Sequence, residues 1–285
     1  MSRHKNLWLE FYNNIRDPQW PDCPTETQFC QLPEYIQKEI IELHNGQRYI
    51  KLNDNDIEDW PITYCQEDNK TDDFDPECLL RFSVGNGVEI HYDQIMDGGG
   101  TTFGQLYPKV LKYLYPDRKF NNVLEWCCGP GFINFRLLAD GLAENIFLMD
   151  AFLPSLKSCK ITESNLPEHL KNRTTIIHAD DVRNIPKEYK FDLIVSNPPW
   201  FSTLQYFDAN TNRIGMDKDW QAHKNFFHNI KSHLAQDGII LFQETILGSN
   251  PPCFEQFIQE GGLKITRCLR EKLQPEYWYL EVRHG

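Results

Sequence analysis

The 285-residue chain lacks several features that would assign it to a familiar class. No stretch approaches the roughly 18 uncharged apolar residues that a membrane-spanning helix needs. The apolar run near the N-terminus, at residues 7–9, is too short for a signal peptide. Ser196 has no surrounding Gly-x-Ser-x-Gly motif, so a serine hydrolase has no support. We therefore expect a cytoplasmic protein with no membrane partner.

The nine cysteines include no Cys-x-x-Cys pair, which gives no support to a zinc ribbon or a dithiol redox motif. An odd number without regular spacing favours reduced thiols that pack as small apolar side chains. His223, His228 and His233 are five residues apart, and this spacing prevents them from sharing one face of a helix. The sequence therefore predicts no metal site.

Positive charge is scarce only in the first third of the chain. Residues 1–100 contain 8 Lys and Arg against 20 Asp and Glu, whereas residues 101–285 contain 21 of each kind. The acidic excess is densest between Asp54 and Glu77. Such a segment is either a solvated loop or an acidic rim that prefers neutral or cationic substrates. In both cases a large nucleic-acid footprint is disfavoured.

This change in charge predicts two regions: an acidic N-terminal cap or substrate-recognition region at 1–100 and a core at 101–285. The spacing of apolar residues predicts an amphipathic helix at 32–44. Residues 50–80 are polar and predict a loop, and a strand is expected over 84–91. The cap is therefore predicted to consist of helix and loop.

After residue 100, apolar strands alternate with amphipathic helices. The predicted strands are 122–127, 145–149, 174–178, 191–196, 238–243, 263–269 and 277–282. The predicted helices are 105–114, 132–139, 154–165 and 223–234. This alternation indicates a Rossmann-like, doubly wound α/β fold, with a mostly parallel sheet and helices on both faces. Ligands of such folds bind at the carboxyl ends of the strands.

The first chemical motif follows the strand at 122–127. Glu125, Cys127, Gly129 and Gly131 alternate there, and the glycines allow a left-handed backbone and close approach of a ligand. Asp150 follows at the end of the next strand, where a ribose diol is held in nucleotide-type sites. Asn134 takes the place of the third glycine of a dinucleotide fingerprint, which counts against NAD.

The second motif, Asn197-Pro198-Pro199-Trp200, follows the strand at 191–196. The prolines stiffen the chain and donate no hydrogen bonds. The carbonyl before or between them and the side-chain carbonyl of Asn197 therefore form a pair of acceptors for one NH₂ group. Trp200 offers a flat face for a planar group.

Together, these motifs resemble a class I S-adenosylmethionine-dependent methyltransferase. The Asn-Pro-Pro-aromatic signature is similar to the amino-methyltransferase branch, which includes the HemK-type protein glutamine methyltransferases and the adenine amino-methyltransferases. The resemblance covers residues 101–285 and implies S-adenosyl-L-methionine as cofactor. It implies that Glu125, Cys127, Gly129 and Gly131 surround the methionine part and that Asp150 holds the ribose. Asp181, or alternatively Asp180, would bind the adenine amine. Asn197, Pro198 and Trp200 would hold the acceptor nitrogen, and Asn197 would contact the cofactor as well.

The acceptor expected from this resemblance is a planar nitrogen, such as a side-chain amide, in a protein, peptide or small amino compound. One alternative is methylation of adenine in nucleic acid, which the acidic cap disfavours. A cofactor-binding scaffold without activity is another, although it would have no use for the acceptor pair. Thr101, Thr102 and Gln105 could reach the cofactor or the substrate, and Gly98-Gly99-Gly100 is either a linker or the hinge of a lid.

Overall fold

The computed structural model describes residues 79–93, 96–202, 215, 217–246, 248–270 and 277–285, without the side chains of residues 103 and 270. The helix predicted at 32–44, the acidic segment and nearly all of the predicted loop at 50–80 lie outside these residues. In the part of the chain that is described, no helix is both long and apolar enough to cross a membrane.

A seven-stranded sheet forms the centre of the described structure. Its strands are β3 (Phe120–Trp126), β4 (Ala143–Asp150), β5 (Thr174–His178), β6 (Phe191–Ser196), β7 (Leu234–Thr245), β8 (Leu263–Arg270) and β9 (Tyr277–His284). They are ordered β5-β4-β3-β6-β7-β9-β8, and only β9 pairs antiparallel with its neighbours. The predicted Rossmann-like, mostly parallel sheet is confirmed, and its order reverses between β3 and β6, where such folds bind ligands.

Helices cover both faces of this sheet. They are α1 (Tyr107–Leu114), α2 (Phe132–Ala139), α3 (Leu153–Ser164), α4 (Gln221–Asn229) and α5 (Pro251–Glu260). In β6, Leu193 and Val195 face the cluster made with α1, α2 and α3, whereas Ile194 faces the cluster made with α4 and α5. Because successive side chains of a strand point to opposite faces, an uninterrupted apolar run is buried on both.

A β-hairpin precedes the sheet. Its strands, β1 (Leu80–Gly85) and β2 (Val88–Tyr92), pair antiparallel. The single strand predicted over 84–91 is wrong because the chain reverses at Asn86 and Gly87, whose φ angles are +51° and +77°. Two central residues with positive φ are typical of a tight type I′ hairpin turn.

This hairpin packs on the core and shares its apolar cluster with α2 and α3. The backbone N–H of His91 donates to Thr162 Oγ1 at 2.9 Å, and Ser158 Oγ donates to the His91 carbonyl. The described end of the predicted cap is therefore β-structure joined to the core. A boundary near residue 100 stays a prediction.

Three further elements differ from the sequence prediction. The helix predicted over 223–234 ends at Asn229 and continues as a 3₁₀ turn, Ile230–His233. β7 therefore begins at Leu234, four residues before the predicted strand. Helix α5 was not predicted, although two prolines in its first turn, Pro251 and Pro252, are typical of a helix start.

Candidate functional site

The loop between β3 and α2 has an unusual backbone. Gly129 and Gly131 have φ angles of +51° and +82°, as the motif predicts, and Cys127 also has a positive φ of +52°. A positive φ strains a residue that carries a Cβ, and such strain often marks a functional site. Among the described residues, a Cβ added to Gly129 would meet only the Met96 carbonyl oxygen, at 3.7 Å, so this part of the structure leaves open space beside Gly129.

Glu125 lies beneath this loop, with its side chain turned towards α2. Its two carboxylate oxygens accept hydrogen bonds from the backbone N–H groups of Ile133 at 3.2 Å and Asn134 at 2.8 Å. Burial raises its pKa to about 8, although these two donors act in the opposite direction. The carboxyl group therefore caps the start of α2 and supports the loop from below.

Asn134 has a structural role that the sequence did not reveal. Its buried side-chain NH₂ group donates to the carbonyls of Val123 and Phe147, each at 3.0 Å. These carbonyls belong to β3 and β4, so the amide connects α2 to two strands. Where a dinucleotide fingerprint has its third glycine, this chain therefore has a hydrogen-bonding side chain.

Asp150 lies at the end of β4, beside the loop. One of its carboxylate oxygens accepts from the Gly129 N–H and the other from the Phe152 N–H, each at 2.8 Å. Burial raises its pKa. An ionised carboxylate has about four acceptor positions, so this group can still receive two hydroxyl donors.

Exposed apolar side chains follow Asp150. Phe152 is 38 % exposed and Leu153 is 42 % exposed, although both are large and hydrophobic. Their position beside a carboxylate at the sheet edge makes them candidate contacts for a planar ring. The sequence analysis missed them, and the signal that it could have used is the adjacent pair of apolar residues directly after Asp150.

Asp180 and Asp181 follow β5, next to Asp150, whose carbonyl accepts from the Ala179 N–H at 3.1 Å. Asp181 accepts from the Arg183 backbone N–H at 2.8 Å and forms an ion pair with its guanidinium at 2.6 Å. These hydrogen bonds lower the pKa of Asp181. Asp180 is exposed. The structure thus places Asp180 and Asp181, the two candidates for binding the adenine amine, at the same end of the sheet as Asp150. The Asp181 carboxylate is already paired with Arg183.

The side chain of Asn197 is half-satisfied. Its Nδ2 donates to the Gly98 carbonyl at 2.8 Å, which fixes the orientation of the amide. Its Oδ1 is buried and has no hydrogen-bond partner among the residues that the structure describes. An acceptor left unpaired in this way costs free energy unless a ligand supplies the missing donor.

The rest of the second motif packs around Asn197. Pro198 is buried, and the Trp200 ring lies 5.3 Å from the ring of Tyr277. The Trp200 Nε1 donates to the Gln243 carbonyl at 3.3 Å. The indole is therefore held against β7 and β9.

Buried hydrogen bonds fix the strand end that carries Asn197. The Ser196 hydroxyl donates to the Trp126 carbonyl at 2.5 Å, joining the ends of β6 and β3. The Tyr107 hydroxyl, from α1, donates to the Ser196 carbonyl at 2.6 Å. Because both groups are fully buried, the two motif-bearing strands end in a fixed relation to one another.

The glycine-rich segment before α1, Gly98-Gly99-Gly100, lies beside the carboxyl ends of the strands. A Cβ at Gly100 would stand 2.0 Å from the Phe132 ring, so only glycine fits there. Thr101 bonds the Asp97 carboxylate, and Thr102 and Gln105 donate to the carbonyls of Gly99 and Gly100. These three side chains therefore hold the segment itself, and a role towards cofactor or substrate stays a prediction.

The three histidines of the sequence analysis have separate partners. His223 is buried between Asp217 and Glu244, His228 contacts Glu260, and His233 contacts the Tyr189 carbonyl. Across the described ranges, no group of three or more His, Cys, Asp or Glu side chains has an arrangement that could hold a metal ion.

The site thus combines a left-handed loop, the Asp150 carboxylate and the Asn197 amide oxygen, which has no partner among the described residues, at adjacent strand ends. Residues 109–246 match the family model of the methyltransferase small domain. This match supports a class I S-adenosylmethionine-dependent methyltransferase core and S-adenosyl-L-methionine as its cofactor.

The curated relatives that the chain matches are also methyltransferases. The chain is 31 % identical over 136 residues to a bifunctional methyltransferase of Rickettsia bellii, covering 44 % of this chain and 24 % of that protein. It is 37 % identical over 142 residues to the bifunctional methyltransferase of Rickettsia typhi, covering 50 % of this chain and 24 % of that protein. The chain therefore spans about a quarter of the length of these relatives.

Solved methyltransferase structures are similar at low identity. A T. thermophilus 16S rRNA N2 G1207 methyltransferase in complex with AdoMet and guanosine has a TM-score of 0.48 and 16 % identity, covering 73 % of this chain and 50 % of that one. The ribosomal protein L11 methylase of Lactobacillus delbrueckii subsp. bulgaricus has a TM-score of 0.47 and 16 % identity, covering 72 % and 99 %. Neither similarity identifies the methyl acceptor of this chain.

Proposed function

We propose that this chain transfers a methyl group from S-adenosyl-L-methionine to a planar nitrogen. The acceptor class that we favour is a side-chain amide or related nitrogen of a protein, peptide or small amino compound. The observation that carries the proposal is the buried Oδ1 of Asn197, which has no hydrogen-bond partner in the part of the chain that the structure describes and lies at the strand end beside the loop at Gly129. That oxygen is an acceptor in need of a donor, and an NH₂ group supplies one.

The residues around the loop fit the cofactor. The open space beside Gly129 suits the methionine part, with the backbone of Cys127 and Gly131 around it and Glu125 supporting the loop from below. The half-buried carboxylate of Asp150 has acceptor positions left for the two ribose hydroxyls. Asp180 or Asp181 would accept from the adenine amine. When bound, the cofactor supplies an electrophilic methyl group on a sulfonium.

Asn197 would position the nitrogen that is methylated. Its Oδ1 and the carbonyl of Pro198 would accept the two N–H groups, and Trp200 would contact the planar group. Positioning of this kind can supply about 7–11 kcal/mol of a reaction barrier. Both acceptors also gain strength as positive charge develops on the nitrogen during transfer.

The bond from Asn197 Nδ2 to Gly98 supports this assignment. An amide side chain can rotate to present either its NH₂ group or its oxygen, and only the oxygen can accept a hydrogen bond from an amine. Because Nδ2 is held by the Gly98 carbonyl, Oδ1 is the atom presented to a ligand. The glycine-rich segment would thus orient the acceptor pair from outside the sheet.

The test measures cofactor binding and transfer separately. We expect S-adenosyl-L-methionine to bind in calorimetry, and tritiated methyl groups to reach the protein or small-molecule fraction of a cell extract. Asn197→Ala should lower transfer roughly 100-fold while leaving cofactor affinity within about threefold of wild type. The matched control is Asn145→Ala. The Asn145 amide donates to the Asn121 carbonyl at the amino end of the sheet, away from the motif.

Each other outcome has a definite meaning. Label in DNA or RNA would move the assignment to the adenine alternative. Cofactor binding without transfer to any fraction would favour a scaffold. Unchanged transfer by Asn197→Ala would refute the acceptor role of Asn197.

A further inference from the structure

Three ionisable side chains that the proposed chemistry does not use are buried together behind the acceptor motif. Asp217, His223 and Glu244 come from the residues before α4, from α4 itself and from the end of β7. The His223 Nδ1 lies 2.7 Å from an Asp217 oxygen, and its Nε2 lies 3.2 Å from a Glu244 oxygen. None of the three is more than 4 % exposed.

A protonated, charged imidazole suits this geometry. Each ring nitrogen faces a carboxylate oxygen, and both nitrogens can donate only when the ring is protonated. Burial opposes that charge, but the hydrogen bonds to Asp217 and Glu244 prevail and raise the pKa of His223 to about 9. Aromatic rings enclose the group, with Phe254 stacked on His223 at 4.7 Å. A buried ion cluster of this kind is costly to maintain, which invites a functional explanation.

Backbone hydrogen bonds connect the cluster to the acceptor motif. The N–H groups of Trp200 and Phe201 both donate to the Gly215 carbonyl, at 3.1 and 3.0 Å. The Asp217 N–H then donates to the Phe201 carbonyl at 2.8 Å. The residues directly after Asn197-Pro198-Pro199 are therefore paired with the residues that lead into Asp217.

The Asp217 carboxylate fixes this pairing to the core. Besides the imidazole, it accepts from the backbone N–H groups of Ala222 at 2.8 Å and His223 at 3.0 Å. One carboxylate thus joins the end of the paired segment to the start of α4. Through the His223 ring, it is joined to β7 as well.

Glu244 continues the connection on the far side. Its second oxygen accepts from the Ser249 hydroxyl at 2.9 Å, which holds the chain after β7. The segment after β7 lies against the motif at Gly248. A Cβ at that position would stand 2.1 Å from the Trp200 carbonyl oxygen. Trp200 is therefore held from two sides by segments that this ion cluster ties down.

We infer that Asp217, His223 and Glu244 position the acceptor motif. The cluster holds the pairing of Trp200 and Phe201 with Gly215 and Asp217, and thereby the place of Asn197 relative to the loop at Gly129. The three residues are positioning residues that touch neither substrate nor cofactor. This inference rests on the proposed function for its catalytic meaning, whereas the structural connection stands independently of it.

The test compares Asp217→Asn with wild type in the full-length protein. The amide would turn a donor towards groups that already donate, so we expect the pairing to open more often. In hydrogen exchange, the Trp200 and Phe201 amides in the peptide covering 197–202 should exchange roughly tenfold faster. Transfer of tritiated methyl to extract protein should fall roughly tenfold, with calorimetric affinity for S-adenosyl-L-methionine unchanged.

Two further variants keep the result interpretable. Glu281→Gln alters another buried carboxylate, which Tyr115, Thr266 and Arg283 surround away from the motif. It should lower the melting temperature without changing exchange at 197–202 or transfer. Should Asp217→Asn fail to fold, His223→Gln serves instead, because it keeps a donor for only one carboxylate.

The inference is overturned if Asp217→Asn, or His223→Gln in its place, leaves exchange at 197–202 unchanged. It is also overturned if Glu281→Gln, at the same loss of melting temperature as Asp217→Asn, accelerates exchange at 197–202 and slows transfer to the same extent. A wild-type protein that does not bind S-adenosyl-L-methionine would refute the proposed function, while the exchange data would still decide whether the cluster holds the motif.

Discussion

The carboxylate of Asp150 accepts a 2.8 Å hydrogen bond from the backbone N–H of Gly129. This bond joins the ends of β3 and β4, next to the point between β3 and β6 where the order of the sheet reverses. The residue proposed to hold the ribose therefore also fixes the loop proposed to hold the methionine part. A change at either residue should affect both halves of the cofactor site.

Asp150→Asn tests this double role. Both carboxylate oxygens of Asp150 accept from backbone N–H groups, so an amide NH₂ would face a donor whichever way it turned. We expect calorimetry to show roughly tenfold or greater loss of affinity for S-adenosyl-L-methionine. The control is Asp192→Asn, which alters a carboxylate that accepts from the Asn121 and Asn122 N–H groups at the amino end of the sheet. Equal affinities of the two variants would contradict the assignment.

Gly131→Ala tests the backbone of the loop. The φ of +82° is unfavourable for alanine, and the new Cβ would stand 2.9 Å from the Phe135 ring. We expect denaturant unfolding to show a loss of about 2–3 kcal/mol, of which strain at positive φ accounts for about 1–2 kcal/mol. Gly141→Ala separates these contributions, because Gly141 has a φ of +66° and an added Cβ would have no atom of the described residues within 4 Å. Similar losses for both variants would exclude a role for the Phe135 contact.

The parallel core could be predicted because the apolar runs of the sequence coincide with the strands that are buried in the structure. The strands at Thr174–His178 and Phe191–Ser196 match their predicted bounds. The misses have local causes. The Asn86-Gly87 turn lies inside the segment predicted as a single strand, and the two prolines in the first turn of α5 were not recognised as a helix start.

At the site, sequence position predicted which edge the motif residues occupy but not where their side chains point. Glu125 alternates with the small residues of its motif, yet its carboxyl group is turned beneath the loop to the start of α2. Thr101 is a candidate contact for the cofactor or the substrate, yet its hydroxyl donates to the Asp97 carboxylate. The buried cluster around His223 joins Asp217 and Glu244, which are 27 positions apart in the sequence. No local sequence pattern therefore predicts it.

Glu125→Gln tests the buried carboxyl group through pH. The folded protein keeps this proton up to a pKa of about 8, whereas the ordinary pKa of an exposed glutamate is 4.5. Between these values the folded state binds more protons, so stability from this group is complete below the unfolded pKa and is lost as pH rises through 8. We expect the free energy of unfolding to fall less steeply between pH 5 and 8 in Glu125→Gln than in wild type.

The control for the pH experiment is Glu168→Gln. Glu168 is an exposed carboxylate whose hydrogen bond to Lys171 lowers its pKa, so its titration lies below this window. Its replacement should leave the slope between pH 5 and 8 unchanged. A wild-type slope that survives Glu125→Gln would show that Glu125 is ionised in the folded protein throughout this range.

Asn134→Gly restores the missing glycine of a dinucleotide fingerprint and should damage the protein without creating NAD binding. The change removes two buried hydrogen bonds, to the Val123 and Phe147 carbonyls, and places glycine inside α2. At about 1 kcal/mol for each bond and about 1 kcal/mol for glycine in a helix, we expect a loss of about 3 kcal/mol in denaturant unfolding. Asn134→Ala separates the two causes, because it removes the bonds but keeps the helix propensity. NAD binding by Asn134→Gly in calorimetry would mean that the asparagine alone excludes a dinucleotide from this loop.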